Sequence, residues 1–134
     1  MKVVHTLLLA SLAAAAGCGS DTTTPTPTTV VETFASRIQE KGSAWRSINV
    51  PTAGDVTMQL VTMSQADTPL NLGIGTISGT QCVIAASVDT VADSSAVKPQ
   101  LTRNVSVGTY CVRIADIGKL TQTVDFSIRI EKPL

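Results

Sequence analysis

The chain has 134 residues, which is room for one domain. Its 10 Lys+Arg balance 10 Asp+Glu, and a formal charge of zero gives no electrostatic ground for a nucleic-acid or acidic-membrane partner. Hydrophobic residues at 43% support a core and exclude wholesale disorder, whereas aromatics at 3% argue against stacking platforms for sugars or bases.

The chain opens with the short basic stretch Met1 to Thr6, and Leu7 to Ala16 is apolar except for Ser11. Ala15-Ala16-Gly17-Cys18 follows. A basic start, an apolar run and small residues form the three-part pattern of a secretory signal, expected over residues 1–17. The run is shorter than the ~20 residues that cross a hydrocarbon layer, so removal is expected rather than retention. Small residues followed by Cys18 resemble the lipobox of bacterial lipoproteins, in which the cysteine is acylated and becomes the new N-terminus. The alternative is an ordinary secretory signal with a cysteine near its cleavage site. The resemblance implies several acyl chains and firm anchoring, since each buried CH₂ contributes ~0.8 kcal/mol. In proteobacterial members an Asp directly after the cysteine favours the inner membrane. Gly19 and Ser20 stand there in this chain, which points to the outer membrane.

Ser20 to Thr29 holds no large apolar residue, and its two prolines among threonines favour extended chain at ~3.1 Å per residue. Residues 18–29 are therefore expected to be a disordered tether that holds a domain of residues 30–134 up to ~30 Å off a bilayer.

From about Val30 the apolar pattern has period two. Thr33 to Lys41 reads as a first strand and loop, because Phe34, Ile38 and Lys41 make too narrow a face for a helix. Trp45, Ser47 and Asn49 face opposite to Arg46, Ile48 and Val50. Val56, Met58 and Leu60 alternate with Thr57 and Gln59, and Leu70, Leu72 and Ile74 with Asn71, Gly73 and Gly75. Val83 to Val88 is a short apolar run. Tyr110, Val112 and Ile114 alternate with Cys111, Arg113 and Ala115. Val124, Phe126, Ile128 and Ile130 alternate with polar residues to Glu131. Turn signals at Pro51 to Asp55, Ser64 to Pro69, Ser78-Gly79, Val107-Gly108 and Asp116 to Gly118 separate these runs. Seven or eight short strands so spaced predict an all-β, antiparallel sandwich or barrel.

Chemistry-bearing groups are few. The only histidine, His5, lies in the signal, so a mature chain has no Ser-His-Asp or Cys-His machinery and lacks the usual nitrogen ligand for zinc. With Cys18 acylated, Cys82 and Cys111 remain. In an exported chain such a pair reads as a disulfide closing about 30 residues, an effect of ~3.5 kcal/mol by chain entropy. Two free thiols are the alternative, without a C-x-x-C spacing or a histidine to activate them. Gly73-Ile74-Gly75 lacks the spacing of a nucleotide loop and reads as a bend or a close backbone approach. Asp89 and Asp93 are the closest carboxylate pair, weak candidates for a Ca²⁺ site without EF-hand spacing. Asp116 before Gly118 suggests an Asx-turn, and Asn104-Val105-Ser106 is a chance match to a glycosylation acceptor.

The exported part resembles the bacterial pre-peptidase C-terminal type of β-sandwich in a stand-alone lipoprotein form. The resemblance rests on Glu32-Thr33-Phe34, Val50 to Leu60, Leu72 to Thr76 with Cys82 after it, and above all Val107-Gly108-Thr109-Tyr110-Cys111-Val112-Arg113-Ile114 followed by Asp116-Ile117-Gly118. It implies a jelly-roll-like sandwich of about eight strands and supplies no catalytic residue. Some relatives accompany secreted proteases, and some bind collagen or Ca²⁺.

The expected function is a non-catalytic, lipid-anchored envelope module without a cofactor. Its partners would be membrane lipid through Cys18 and an envelope or extracellular protein, with no nucleic acid. The alternatives are a Ca²⁺-dependent adhesion or stability module, or a small carboxylate-based hydrolase.

Overall fold

The computed structural model describes Gly19, residues 24–26 and residues 28–134. The expected signal, Cys18 and, of the tether, residues 20–23 and 27 lie outside the described residues.

Eight strands follow in order: β1 (Thr29–Ile38), β2 (Ser43–Val50), β3 (Gly54–Met63), β4 (Leu70–Ser78), β5 (Gln81–Thr90), β6 (Leu101–Val105), β7 (Gly108–Asp116) and β8 (Val124–Pro133). The described residues form no helix, and the protein is the all-β antiparallel sandwich that the period-two pattern predicts. The sandwich takes up two residues assigned to the tether. Thr29 opens β1, and the Thr28 carbonyl accepts a hydrogen bond from the Leu134 N–H at 3.0 Å.

One sheet has the order β1-β8-β3-β6 and the other β2-β7-β4-β5. Strand 1 pairs with 8, 2 with 7, 3 with 6 and 4 with 5, which is the nesting of one long hairpin. Rolling that hairpin sends alternate pairs to alternate sheets, and the β3–β8 and β4–β7 pairings then join them into a jelly roll.

Direct partners in an antiparallel ladder share a face, so the register sorts the core. Phe34 and Ile38, Val56, Met58 and Leu60, and Val124, Phe126, Ile128 and Ile130 line the first sheet. Ile48 and Val50, Leu70, Leu72 and Ile74, and Val112 and Ile114 line the second. Burying each such aliphatic or Phe side chain contributes roughly 1.5–3 kcal/mol. Phe34 and Phe126 meet edge to face, with centroids 5.2 Å apart.

Strand β6 has no counterpart in the apolar pattern. Only its ends, Leu101 and Val105, turn toward the core, while Thr102, Arg103 and Asn104 are exposed. It pairs with the first half of β3, from Gly54 to Met58. Beyond that point residues 93–100 take over the β3 edge. Asp93 N–H donates to the Leu60 carbonyl, and Gln100 N–H donates to that of Met58, at 2.9 and 2.8 Å. This segment also covers Gln59, which faces outward by register yet is only 3% exposed. Gln59 Nε2 donates to the carbonyls of Asp93 and Ala96, and its Oε1 accepts from Lys98 N–H.

Ionic groups close the corner between β1 and β2. Lys132 Nζ donates to the Asn49 carbonyl at 2.7 Å and lies 3.1 Å from Glu32 Oε1. Arg46 holds the other Glu32 oxygen at 3.1 Å, donates to the Thr33 carbonyl, and sets its guanidinium 5.9 Å from the Phe34 ring centroid. Glu32 thus ties β1 to β8 and to the facing sheet.

The β4–β5 hairpin bends where its register shifts at Ile74/Gly75, with Ala85 as the extra residue. Its tip leaves the sheet there and crosses the outer face of β7, far enough to bring Cys82 onto Cys111 with Cα atoms 5.7 Å apart. Glycine permits this crossing. A Cβ on Gly75 would stand 1.8 Å from the Val83 carbonyl oxygen, and one on Gly73 would stand 3.1 Å from Ile84 Cδ1. Gly79 turns the tip itself with φ 59°.

Candidate functional site

The curled tip makes a groove on the outside of the second sheet. Trp45 and Arg113 are direct partners across β2 and β7, so their side chains stand side by side on that face. Ser43 lies further along β2, and Thr80, Gln81 and Cys82 of the tip form the opposite wall of a cavity of about 410 Å³. The other neighbour of Arg113 across the ladder is Gly73, which offers no side chain to compete for its guanidinium.

Arg113 Nε is buried and has no hydrogen-bond partner, the one such side-chain nitrogen or oxygen among the described residues. The five ion pairs found among the described residues belong to Arg37, Arg46, Lys98, Arg129 and Lys132, and Arg113 takes part in none. A guanidinium stays protonated at any physiological pH and carries five donors in a fixed fork. The groove therefore holds an unneutralised cation beside the chain's only tryptophan.

The cysteines expected to pair do so: Cys82 and Cys111 form a disulfide that pins the tip over the groove. Disulfides belong to oxidising compartments, which points to export. With these two joined, Cys18 is the one cysteine left over in the sequence.

Asp89 and Asp93 are each engaged by different groups. Asp89 accepts from Asn71 Nδ2 across the β4–β5 ladder at 2.8 Å. Asp93 accepts from the Ser95 hydroxyl and N–H, which hold its carboxyl below the ordinary value, and Lys98 lies 3.9 Å away. Among the described residues no group of three or more His, Cys, Asp or Glu side chains is placed to hold a metal ion.

Asp116 organises a loop. Its Oδ1 accepts from the N–H groups of Gly118, Lys119 and Leu120, and its Oδ2 accepts from Lys41 N–H at 2.7 Å. The first contact is the Asx-turn read from the sequence, with Gly118 at φ 84°. The last reaches the β1–β2 turn, where Lys41 has φ 57°. Burial alone would raise the Asp116 carboxyl, but the four backbone donors outweigh it and hold the group below its ordinary 3.8. A carboxylate with a lowered folded pKa stabilises fully above its unfolded value, and the effect disappears as pH falls through the folded one. Asp116→Asn is therefore expected to lower unfolding free energy by about 1–2 kcal/mol near neutral pH, and the gap to wild type should close below about pH 4. Urea melts at neutral and acid pH measure this. A gap that persists unchanged into acid would exclude the carboxylate charge as the cause.

Asn104, of the glycosylation-like triplet, donates to Asp55 Oδ1 at 2.8 Å across β3 and β6.

Alternation places Arg113 on the wet face of its strand. Only the β2–β7 register, set by pairing some 70 positions apart in the chain, puts Trp45 beside it. No protein-family model matches the chain, and no curated protein matches it either.

Proposed function

We propose that this chain is a non-catalytic, lipid-anchored protein of the bacterial cell envelope, held at the outer membrane through acylated Cys18, that presents its sandwich as a binding or accessory module. The observation that carries this reading is the cysteine count. Three cysteines occur, two are joined within the domain, and the third stands directly after Ala15-Ala16-Gly17 and before a threonine- and proline-rich stretch. The resemblance to pre-peptidase C-terminal sandwiches agrees with the jelly-roll order of the strands. The non-catalytic assignment is supported by the sequence, whose single histidine falls within the signal. It is supported also by Asp89, Asp93 and Asp116, each occupied by donors of its own loop or neighbouring strand.

Labelling with a palmitate analogue and intact-mass measurement of the membrane-extracted protein test the anchor. Wild type is expected to take up label, to begin at Cys18 and to fractionate with the outer membrane. Cys18→Ala is expected to take up none and to leave the membrane fraction. A wild-type protein that is full-length and unlabelled in the cytosol overturns the reading.

A further inference from the structure

We infer that the groove between Trp45 and the hairpin tip is a binding site for a carboxylate, with Arg113 as its anchor. A guanidinium that borders a cavity and has no counter-charge of its own can take an anionic ligand as its partner. Arg113 Nε is closed off in the wall of the groove, so a ligand there would meet the rest of the guanidinium, which has no acidic side chain within ion-pair distance among the described residues. A planar carboxylate matches the planar fork of a guanidinium through two parallel hydrogen bonds. The rest of the lining suits the remainder of such a ligand. Trp45 gives a flat apolar wall with the Ser43 hydroxyl beside it on β2, while Thr80 and Gln81 offer hydroxyl and amide groups from the tip. Among the described residues no lysine or second arginine lines the cavity, so a singly charged carboxylate fits better than a doubly charged phosphate.

The inference rests on the domain acting as a binding module and is independent of its anchor. Trp45, the only tryptophan, reports directly on its own groove. The detergent-purified protein is titrated with N-acetyl-glycyl-alanine, with the C-terminal amide of that peptide, with glucuronate, with glucose and with inorganic phosphate, following Trp45 emission. A saturable change is expected with the free peptide acid or with glucuronate, and none with the matching amide or with glucose. Response to the peptide acid alone assigns a polypeptide C-terminus, and response to glucuronate alone assigns an acidic sugar. Response to both assigns the carboxylate itself. Arg113→Gln is expected to weaken binding at least about tenfold, and Arg113→Lys, which keeps the charge and loses the fork, by a smaller factor. Circular dichroism and the melting temperature establish that each variant is folded. The comparison of acid with amide on wild type stands even where a variant is not. Equal response to acid and amide, no saturable response to any carboxylate, tighter binding of phosphate, or unchanged binding by folded Arg113→Gln overturns the inference. Failure of the lipid anchor would appear in the palmitate label and would leave the titration unaffected.

Discussion

Gly75→Ala is expected to destabilise the protein by about 3 kcal/mol or more, read as a lower urea midpoint at unchanged slope. The new methyl group would stand 1.8 Å from the Val83 carbonyl oxygen, 2.6 Å from its carbon and 2.8 Å from Ile84 Cα. All three are backbone atoms, so no side-chain rotation relieves the overlap. The hairpin tip would have to lift off the sheet, and the Cys82–Cys111 bridge resists that movement. Gly108→Ala is the control. A Cβ there meets nothing closer than 3.6 Å, on the Tyr110 ring, so the change is expected to stay within about 1 kcal/mol. A Gly75→Ala effect as small as that of the control would mean that the tip swings freely and that the groove has no fixed wall.

Loss of the disulfide is the second large effect. Replacing both Cys82 and Cys111 with Ala releases a loop spanning 29 positions, and chain entropy puts the loss near 3.5 kcal/mol. That is a large share of the 5–15 kcal/mol that holds a typical domain together. Wild type melted with and without reductant gives the same comparison without a mutation. The two perturbations act on one hairpin and are therefore expected to be non-additive. With the bridge gone the tip can rise, so Gly75→Ala is expected to cost less in the double-alanine background. Strict additivity would show that the bridge and the glycine contact restrain separate motions. A bridge worth less than about 1 kcal/mol would show that the reduced unfolded chain is already compact.

Strands with one wet and one dry face declare themselves in sequence, and β2, β3, β4, β7 and β8 do so through alternating Ile, Val, Leu, Met and Phe. Strand β6 does not, because an edge strand of five residues needs only two core contacts, and three polar residues separate Leu101 from Val105. Gln59 misleads in the opposite sense. Alternation puts it in solvent, and a loop thirty-odd positions later buries it with three hydrogen bonds to its amide. The paired glycines of β4 were legible as a place of close approach, but what approaches is fixed by the bulge at Ala85, one residue that no local pattern marks. Arg113 was visible as an outward residue and no more. Its lack of a counter-ion depends on every acid of the fold having found another neighbour or none, a property of the assembled molecule.

The tie between Thr28 and Leu134 has a mechanical consequence. A pull applied at Thr28 enters the body along β1, and ten consecutive register pairs with β8 then bear it in shear rather than one after another. Glu32 passes part of the tension to Arg46 on β2 and part to Lys132 on β8. The β4–β5 hairpin starts from the far edge of the sheet that holds β2, but the disulfide ties its tip to β7, the direct neighbour of β2. Because Arg46 follows Trp45 on β2, the Glu32–Arg46 ion pair couples a load on β1 to the strand that lines the recess around Arg113.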